Sequence, residues 1–234
     1  DVISDLPPVR SGLSREEDRL NNWINCISYI RNYSYINNES IVNNRILNNL
    51  TFIEKSELPR GGEFVPCEVG TKYRSEWYND PRISGICNHA PKRHMAKDLH
   101  RYLFASSYAQ IFNKSPTLND FPEELLPLHK NTKRSLDNGH FIDRFHVQIK
   151  WLPATTVTSH IAKDGHYFIH PDPTQCRSMT VREVARIQTF PDNYFFCGPK
   201  TSQYIQVGNA VPPLLAYQIA DRLFIALKKS GLVG

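Results

Sequence analysis

The stretch Arg177-Ser-Met-Thr-Val-Arg-Glu-Val-Ala-Arg-Ile-Gln-Thr-Phe-Pro191 decides how this chain is read, with Gln206-Val-Gly-Asn-Ala-Val-Pro-Pro213 as its companion. Thr180 stands three residues before Glu183. That is the spacing of a capping box, in which each side chain satisfies an orphan backbone donor at a helix start. The residue before a proline is steered away from helical dihedrals, so Phe190 before Pro191 predicts the stop of this helix. Val184 and Ile187 share an inward face, while Arg182 and Arg186, four apart, lie on another. The block reads as a short helix with a set beginning and end, and it carries no obvious reacting group.

In the companion block, Gly208-Asn209 reads as a turn, and Pro212-Pro213 leads a helix to Lys229. Proline is tolerated in a first helical turn, where its missing donor would be unpaired anyway. Leu215, Ile219, Leu223, Ala226 and Leu227 give that helix a continuous apolar face, and Lys228 and Lys229 suit the negative end of its dipole. Upstream, residues 155–170 read as a β-hairpin. Thr156-Val157-Thr158 is β-branched, Asp164-Gly165 is a tight-turn pair, and Tyr167-Phe168-Ile169 returns as the second strand.

Residues 83–112 are the longest helical candidate, with Asn88, His89 and Pro91 setting the start. Arg93, Lys97 and Arg101 recur every four residues as a basic stripe, which suits a solvated face or contacts to phosphate. Ser14 with Glu17 repeats the capping-box pattern ahead of Leu20, Trp23, Ile24 and Ile27 at helical spacing. The asparagine-rich run 37–49 reads as a loop or a frayed helix, and residues 1–12 as a helical turn passing into a linker. Residues 121–144 form a loop bearing His129, Lys130, Lys133 and Arg134, the kind of basic loop that reaches base edges.

The 234 residues suffice for a core, and a net charge of +5 permits an anionic partner without requiring one. Five scattered cysteines argue for reduced thiols and a cytoplasmic setting over a disulfide framework. No apolar run approaches the roughly 20 residues of a membrane span, so no membrane partner is expected. Cys67, Cys87, His89 and His94 match no standard zinc spacing, and no metal is assigned.

Together, the two C-terminal blocks closely resemble motifs IX and X of the DNA (cytosine-5)-methyltransferases, in the family's order. The opening Ile3-Ser-Asp-Leu-Pro-Pro8 is similar to the segment that follows motif VIII in that family. The resemblance implies an enzyme that transfers methyl from S-adenosyl-L-methionine to C5 of a cytosine flipped out of double-stranded DNA, in a restriction-modification context. In the family a thiolate attacks C6, a glutamate stabilises the ring, and a base then removes the C5 proton. This sequence contains no Phe-x-Gly-x-Gly loop, no Pro-Cys-Gln and no Glu-Asn-Val. Val65-Pro66-Cys67-Glu68 is not the nucleophile, because the family context around it is missing.

What the resemblance implies for this chain is therefore the target-recognition part, inactive alone, with no catalytic residue of its own. Residues 1–13 would be the linker from an absent Rossmann-like catalytic domain, 14–205 the recognition domain, and 206–234 the turn and helix that return to the catalytic half. Thr156 takes the position near the phosphate beside the flipped base, with Thr158 next to it, although strand propensity alone also accounts for both. Asn209 and Ala210 take the cofactor-side position. Thr180, Arg182, Glu183 and Arg186 are the scaffold between them. Expected DNA contacts are Thr156, Thr158, Arg93, Lys97, Arg101, Lys130, Lys133 and Arg134. The expected fold is α+β, a small twisted sheet with helices and long irregular loops, its C-terminal helix packing on the absent domain. The alternative is a stand-alone DNA-binding module derived from such an enzyme.

Overall fold

The computed structural model describes residues 2–68, 70–128, 139, 142–163 and 165–232 and is a mixed α+β fold. Its first half runs β1 (Gly12–Leu13), α1 (Leu20–Ser28), α2 (Ile41–Ile53), β2 (Gly62–Pro66), α3 (Ser75–Tyr78), β3 (Gly85–His89), β4 (Arg93–His94) and α4 (Ala96–Phe112). The second half adds α5 (Val181–Ile187), α6 (Lys200–Asn209) and α7 (Pro213–Lys229), with 3-10 turns between. Sheet structure is small. β1 pairs in parallel with β4, and β2 pairs antiparallel with β3 in the register Phe64↔Cys87.

Two apolar clusters organise these elements. The first packs Trp23 and Ile27 of α1, Ile46, Leu50 and Ile53 of α2, and Leu99, Tyr102 and Leu103 of α4. Fully burying each such side chain contributes about 1.5–3 kcal/mol. The second joins Val157, Ile161 and Phe168 to Val181, Val184 and Ala185 of α5 and to Tyr204 and Val207 of α6. The two C-terminal blocks are thus one packed unit with the segment that precedes them.

Several sequence expectations are corrected. The asparagine-rich run is a full helix, α2, because its asparagines make tertiary bonds that outweigh weak propensity. Ser40 Oγ accepts from Asn43 N at its start, and the Asn43 amide donates to the Tyr35 and Asn38 carbonyls. Asn49 donates to Ser107 Oγ at 2.9 Å. The Ser14–Glu17 capping box does not form. Ser14 N instead donates to the His94 carbonyl beside β1, and α1 starts at Leu20 after Arg19. α4 begins at Ala96, since Asn88 takes a left-handed φ of +57° and His89 belongs to β3.

The hairpin at 155–170 is not built. Ile169 is bridged to Val147 on one side and Ser178 on the other, so neither edge is open to residues 156–158. Those residues are extended and lead into a 3-10 turn, Ser159–Ala162. Asp164 lies outside the described residues, and Gly165 takes φ +81°. The segment 9–13 is also no loose tether: Val9, Ser11 and Leu13 are buried.

α7 has no buried residue and is exposed from Leu215 to its end. Residues 200–229 are long and apolar enough, by length and composition, to cross a membrane. That stretch is two helices meeting at Pro212, however, and α7 alone spans roughly 25 Å at 1.5 Å per residue, with Asp221 and Arg222 in its middle.

Candidate functional site

α5 begins with the expected capping box: Thr180 Oγ1 accepts from Glu183 N at 3.2 Å, and Glu183 Oε2 accepts from Thr180 N at 2.7 Å. The same carboxylate receives both terminal nitrogens of Arg177 at 2.6 Å. His170 Nε2 lies 3.5 Å away. Burial works to raise the Glu183 carboxyl, but the adjacent Arg177 guanidinium overrides it and holds the group well below the usual carboxylate range. Arg177 also donates to the Val9 carbonyl at 2.9 Å and to Gln175 Oε1 at 2.7 Å. The N-terminal segment is thereby tied to the start of α5.

The other two arginines of the block are equally buried. Arg186 forms a fork on Asp192 at 2.8 and 2.7 Å and reaches Asp5 at 2.6 Å. Arg182 donates to the carbonyls of Cys87, Pro191 and Tyr194, and burial pushes its guanidinium down to about 10. The helix ends at Ile187, ahead of the expected Phe190-Pro191 stop. Thr189 in the left-handed region (φ +61°) turns the chain, and Phe190 N closes on the Ala185 carbonyl at 2.8 Å. Thr189 Oγ1 then accepts from Leu214 N, so the end of α5 caps the start of α7.

Gly208 explains the companion block. A Cβ there would lie 2.6 Å from the Thr158 carbonyl and from Ser159 N. Only glycine lets α6 rest directly on the backbone of 158–159. Val157 is buried in the second cluster while Thr156 and Thr158 point to solvent. Lys92 Nζ donates to the carbonyls of Ile161 and Lys163 and lies 4.4 Å over the Tyr204 ring, fastening the other end of the turn. The result is an outward turn, held at both ends, bearing Thr156, Thr158, His160 and Lys163, all exposed. Gly208 and Asn209 are not the expected turn but the last two residues of α6; Asn209 is exposed there, and Ala210 is half-buried beside it.

The remaining expected residues fall differently. The stripe Arg93–Lys97–Arg101 does not form, because Arg93 belongs to β4 and precedes the helix. Arg101 is buried, pairing with Asp98 at 2.8 Å and donating to the Leu125 and Leu126 carbonyls, so it faces no partner. Lys97 sits half-buried over Tyr33. Lys130, Lys133 and Arg134 lie outside the described residues. Among the described residues no cluster of His, Cys, Asp and Glu could hold a metal ion. Burial raises the Cys67 thiol, away from the thiolate a nucleophile needs. Sequence reasoning missed Arg177, His170, Asp192 and Lys92. Their partners are set by tertiary packing, and the only local signal was a capping-box glutamate facing back along the chain.

The buried histidines set an acid limit. Burial, then the Arg177 charge, pushes His170 down to about 4, and burial also lowers His89, His94, His100 and His146. The His89 ring is held on both sides: its Nε2 donates to the Pro7 carbonyl at 2.7 Å, and Nδ1 lies 3.0 Å from the Thr180 hydroxyl. A depressed folded-state value gives stability that is complete above the unfolded value near 6.5 and is lost as pH falls toward the folded value. Thermal midpoints should be flat above about pH 7 and drop by on the order of 10 °C between pH 6.5 and 4. A midpoint that rises on acidification through that window would contradict the burial of these rings as neutral groups.

The family model for C-5 cytosine-specific DNA methylases matches residues 28–224. The chain is 49% identical, over 58% of its length, to the type II methyltransferase M.Bpa9945I of Bacillus paralicheniformis, covering 29% of that protein. It is 32% identical, over 76% of its length, to the type II methyltransferase M.DdeI of Desulfomicrobium norvegicum, covering 41% of it. A shorter match, 56% identical over 23% of the chain, is to DNA (cytosine-5)-methyltransferase 1B of Oryza sativa subsp. japonica, covering 3% of that protein. The chain thus spans less than half the length of these relatives. It belongs to the C-5 cytosine-specific DNA methylase family.

Proposed function

We propose that this chain is the DNA-recognition portion of a DNA (cytosine-5)-methyltransferase of the type II restriction-modification class. The observation that carries the reading is the seating of the Thr156–Thr158 segment on Gly208, which couples an exposed, hydroxyl-bearing turn to the Asn209 corner. Thr156 and Thr158 present neutral donors to DNA phosphates and fix the register of the duplex. Phosphate contacts of this kind position the target, while base edges and deformability supply sequence discrimination.

The target cytosine must leave the stack, at a cost of a few kcal/mol of unstacking and unpairing. A turn clamped at both ends, by Gly208 and by Lys92, keeps the flanking backbone fixed while that happens. Asn209 and Ala210 face the side where S-adenosyl-L-methionine would lie. The exposed Asn209 amide, at the last residue of α6, fits a polar cofactor edge. The cofactor supplies an electrophilic methyl group. The thiolate nucleophile and the ring-stabilising glutamate belong to a Rossmann-like half outside this sequence, joined in cis or in trans. The exposed apolar face of α7, with Leu215, Ile219 and Leu223, is the surface that docks on that half. The same face disfavours a stand-alone module, which would have to leave it in water.

Thr156→Ala tests the recognition role. Loss of a hydrogen bond to a charged phosphate costs about 1.5–3 kcal/mol, so duplex affinity should fall about 10- to 100-fold. Because threonine is neutral, the salt dependence of binding should stay the same. Unchanged affinity would remove Thr156 from the DNA surface.

A further inference from the structure

The face formed by β1 and β4 holds more positive charge than its own packing uses. Arg10, Arg60 and Arg93 converge on the single carboxylate of Asp18, at 2.6, 2.9 and 4.0 Å. The nearest two satisfy it. Arg93 is left loosely held, with its side chain 65% exposed. Lys200, at the start of α6, donates to the Pro91 carbonyl at 3.0 Å beside them. Burial, then the charges of Arg60 and Arg93, pushes its amine down to about 8, while Glu63 acts in the opposite direction. Four cations therefore face the carboxylates of Asp18 and Glu63. Gly12 makes the crowding possible: a Cβ there would lie 2.6 Å from Arg60 Nη2 and 2.7 Å from Arg93 Cγ. Both arginines fold across β1 over the bare backbone of Gly12.

The position of this patch relative to the threonine turn gives it a direction. Lys92, one residue before Arg93, is fastened to the carbonyls of Ile161 and Lys163. The patch thus continues from the far end of the turn that begins at Thr156 and Thr158. Lys200 and Gly208 mark the two ends of α6, roughly 12 Å apart at 1.5 Å per residue. One strand of duplex places about one phosphate per 3.4 Å of axis, so this span matches three to four phosphates. Guanidinium forks suit phosphate oxygens in a way that a lone ammonium does not.

We propose that Arg93 and Lys200 form a second phosphate-contacting surface that extends the grip on DNA beyond Thr156 and Thr158 into the flanking duplex. It rests on the proposed DNA-recognition role of the chain. Its chemistry differs from that of the threonine turn, because these contacts release counterions and the threonines do not.

The test is equilibrium binding of the full chain to a mixed-sequence duplex of about 30 base pairs, with affinity followed across salt concentration. Arg93→Gln and Lys200→Gln should each make the slope of log affinity against log salt shallower by about 0.9, and the double variant by roughly twice that. Arg93→Lys should restore the slope, since it keeps the charge. Circular dichroism on each variant separates lost contacts from lost fold. Duplex binding by the unaltered chain, with an unchanged slope in the folded double variant, would overturn the patch and leave the recognition role intact. No salt-dependent duplex binding by the unaltered chain would overturn both. Unchanged DNA slopes with weakened binding to polyglutamate would assign the patch to an acidic protein instead, and overturn it as a DNA surface.

Discussion

Glu183→Gln should cost about 3–5 kcal/mol of folding stability, read as a lower urea midpoint with the slope of the transition unchanged. The substitution keeps the shape of the side chain and an acceptor for Thr180 N, so the helix cap survives in part. What it removes is the charge facing Arg177, whose guanidinium is 1% exposed and accepts no substitute from water. An uncompensated buried guanidinium is the expensive product, more than the lost hydrogen bond itself. Native domains hold only about 5–15 kcal/mol in total, so a loss of this size takes a large share. The double variant Arg177→Met, Glu183→Gln should be less destabilised than the sum of the single changes, because no buried charge is left over. A loss below about 1 kcal/mol for Glu183→Gln would mean that the pair is solvated and that α5 is not the keystone described here.

The second large effect is expected at Leu223→Arg on α7. Leu223 is 59% exposed, and the helix is exposed from Leu215 to its end, so the stability of this chain should change by less than about 0.5 kcal/mol. Docking on a catalytic half would instead bury an unpaired guanidinium in an apolar seam, at a cost of several kcal/mol. Association, and with it methyl transfer by the assembled enzyme, should weaken by more than 100-fold. Duplex binding by this chain alone should be unaffected. An assembled enzyme that tolerates Leu223→Arg would place the docking surface elsewhere.

How much of this was legible in the sequence follows from how far apart the partners lie. The Thr180–Glu183 box and the Pro213–Lys229 helix depend on contacts within one turn or one face, and both were readable. The hairpin at 155–170 was not, because the edges of Ile169 are taken by Val147 and Ser178, which no local pattern announces. Arg101 had the spacing of a surface stripe, yet the carbonyls of Leu125 and Leu126 draw it into the interior. The helix α2 was obscured by asparagines whose purpose is tertiary hydrogen bonding with residues such as Ser107. The candidate site was half readable. Thr156, Thr158 and Asn209 stood out by resemblance and are all exposed, whereas the roles of Gly208 and Lys92 appear only once the 158–163 turn is seen lying against α6.

The most direct test of the central claim is transfer of labelled methyl from S-adenosyl-L-methionine to duplex DNA. It compares this chain alone, a separately produced half carrying Pro-Cys-Gln and Glu-Asn-Val, and the mixture. The account predicts incorporation only in the mixture. Incorporation by this chain alone would contradict it, as would a mixture that stays silent while this chain binds the same duplex tightly.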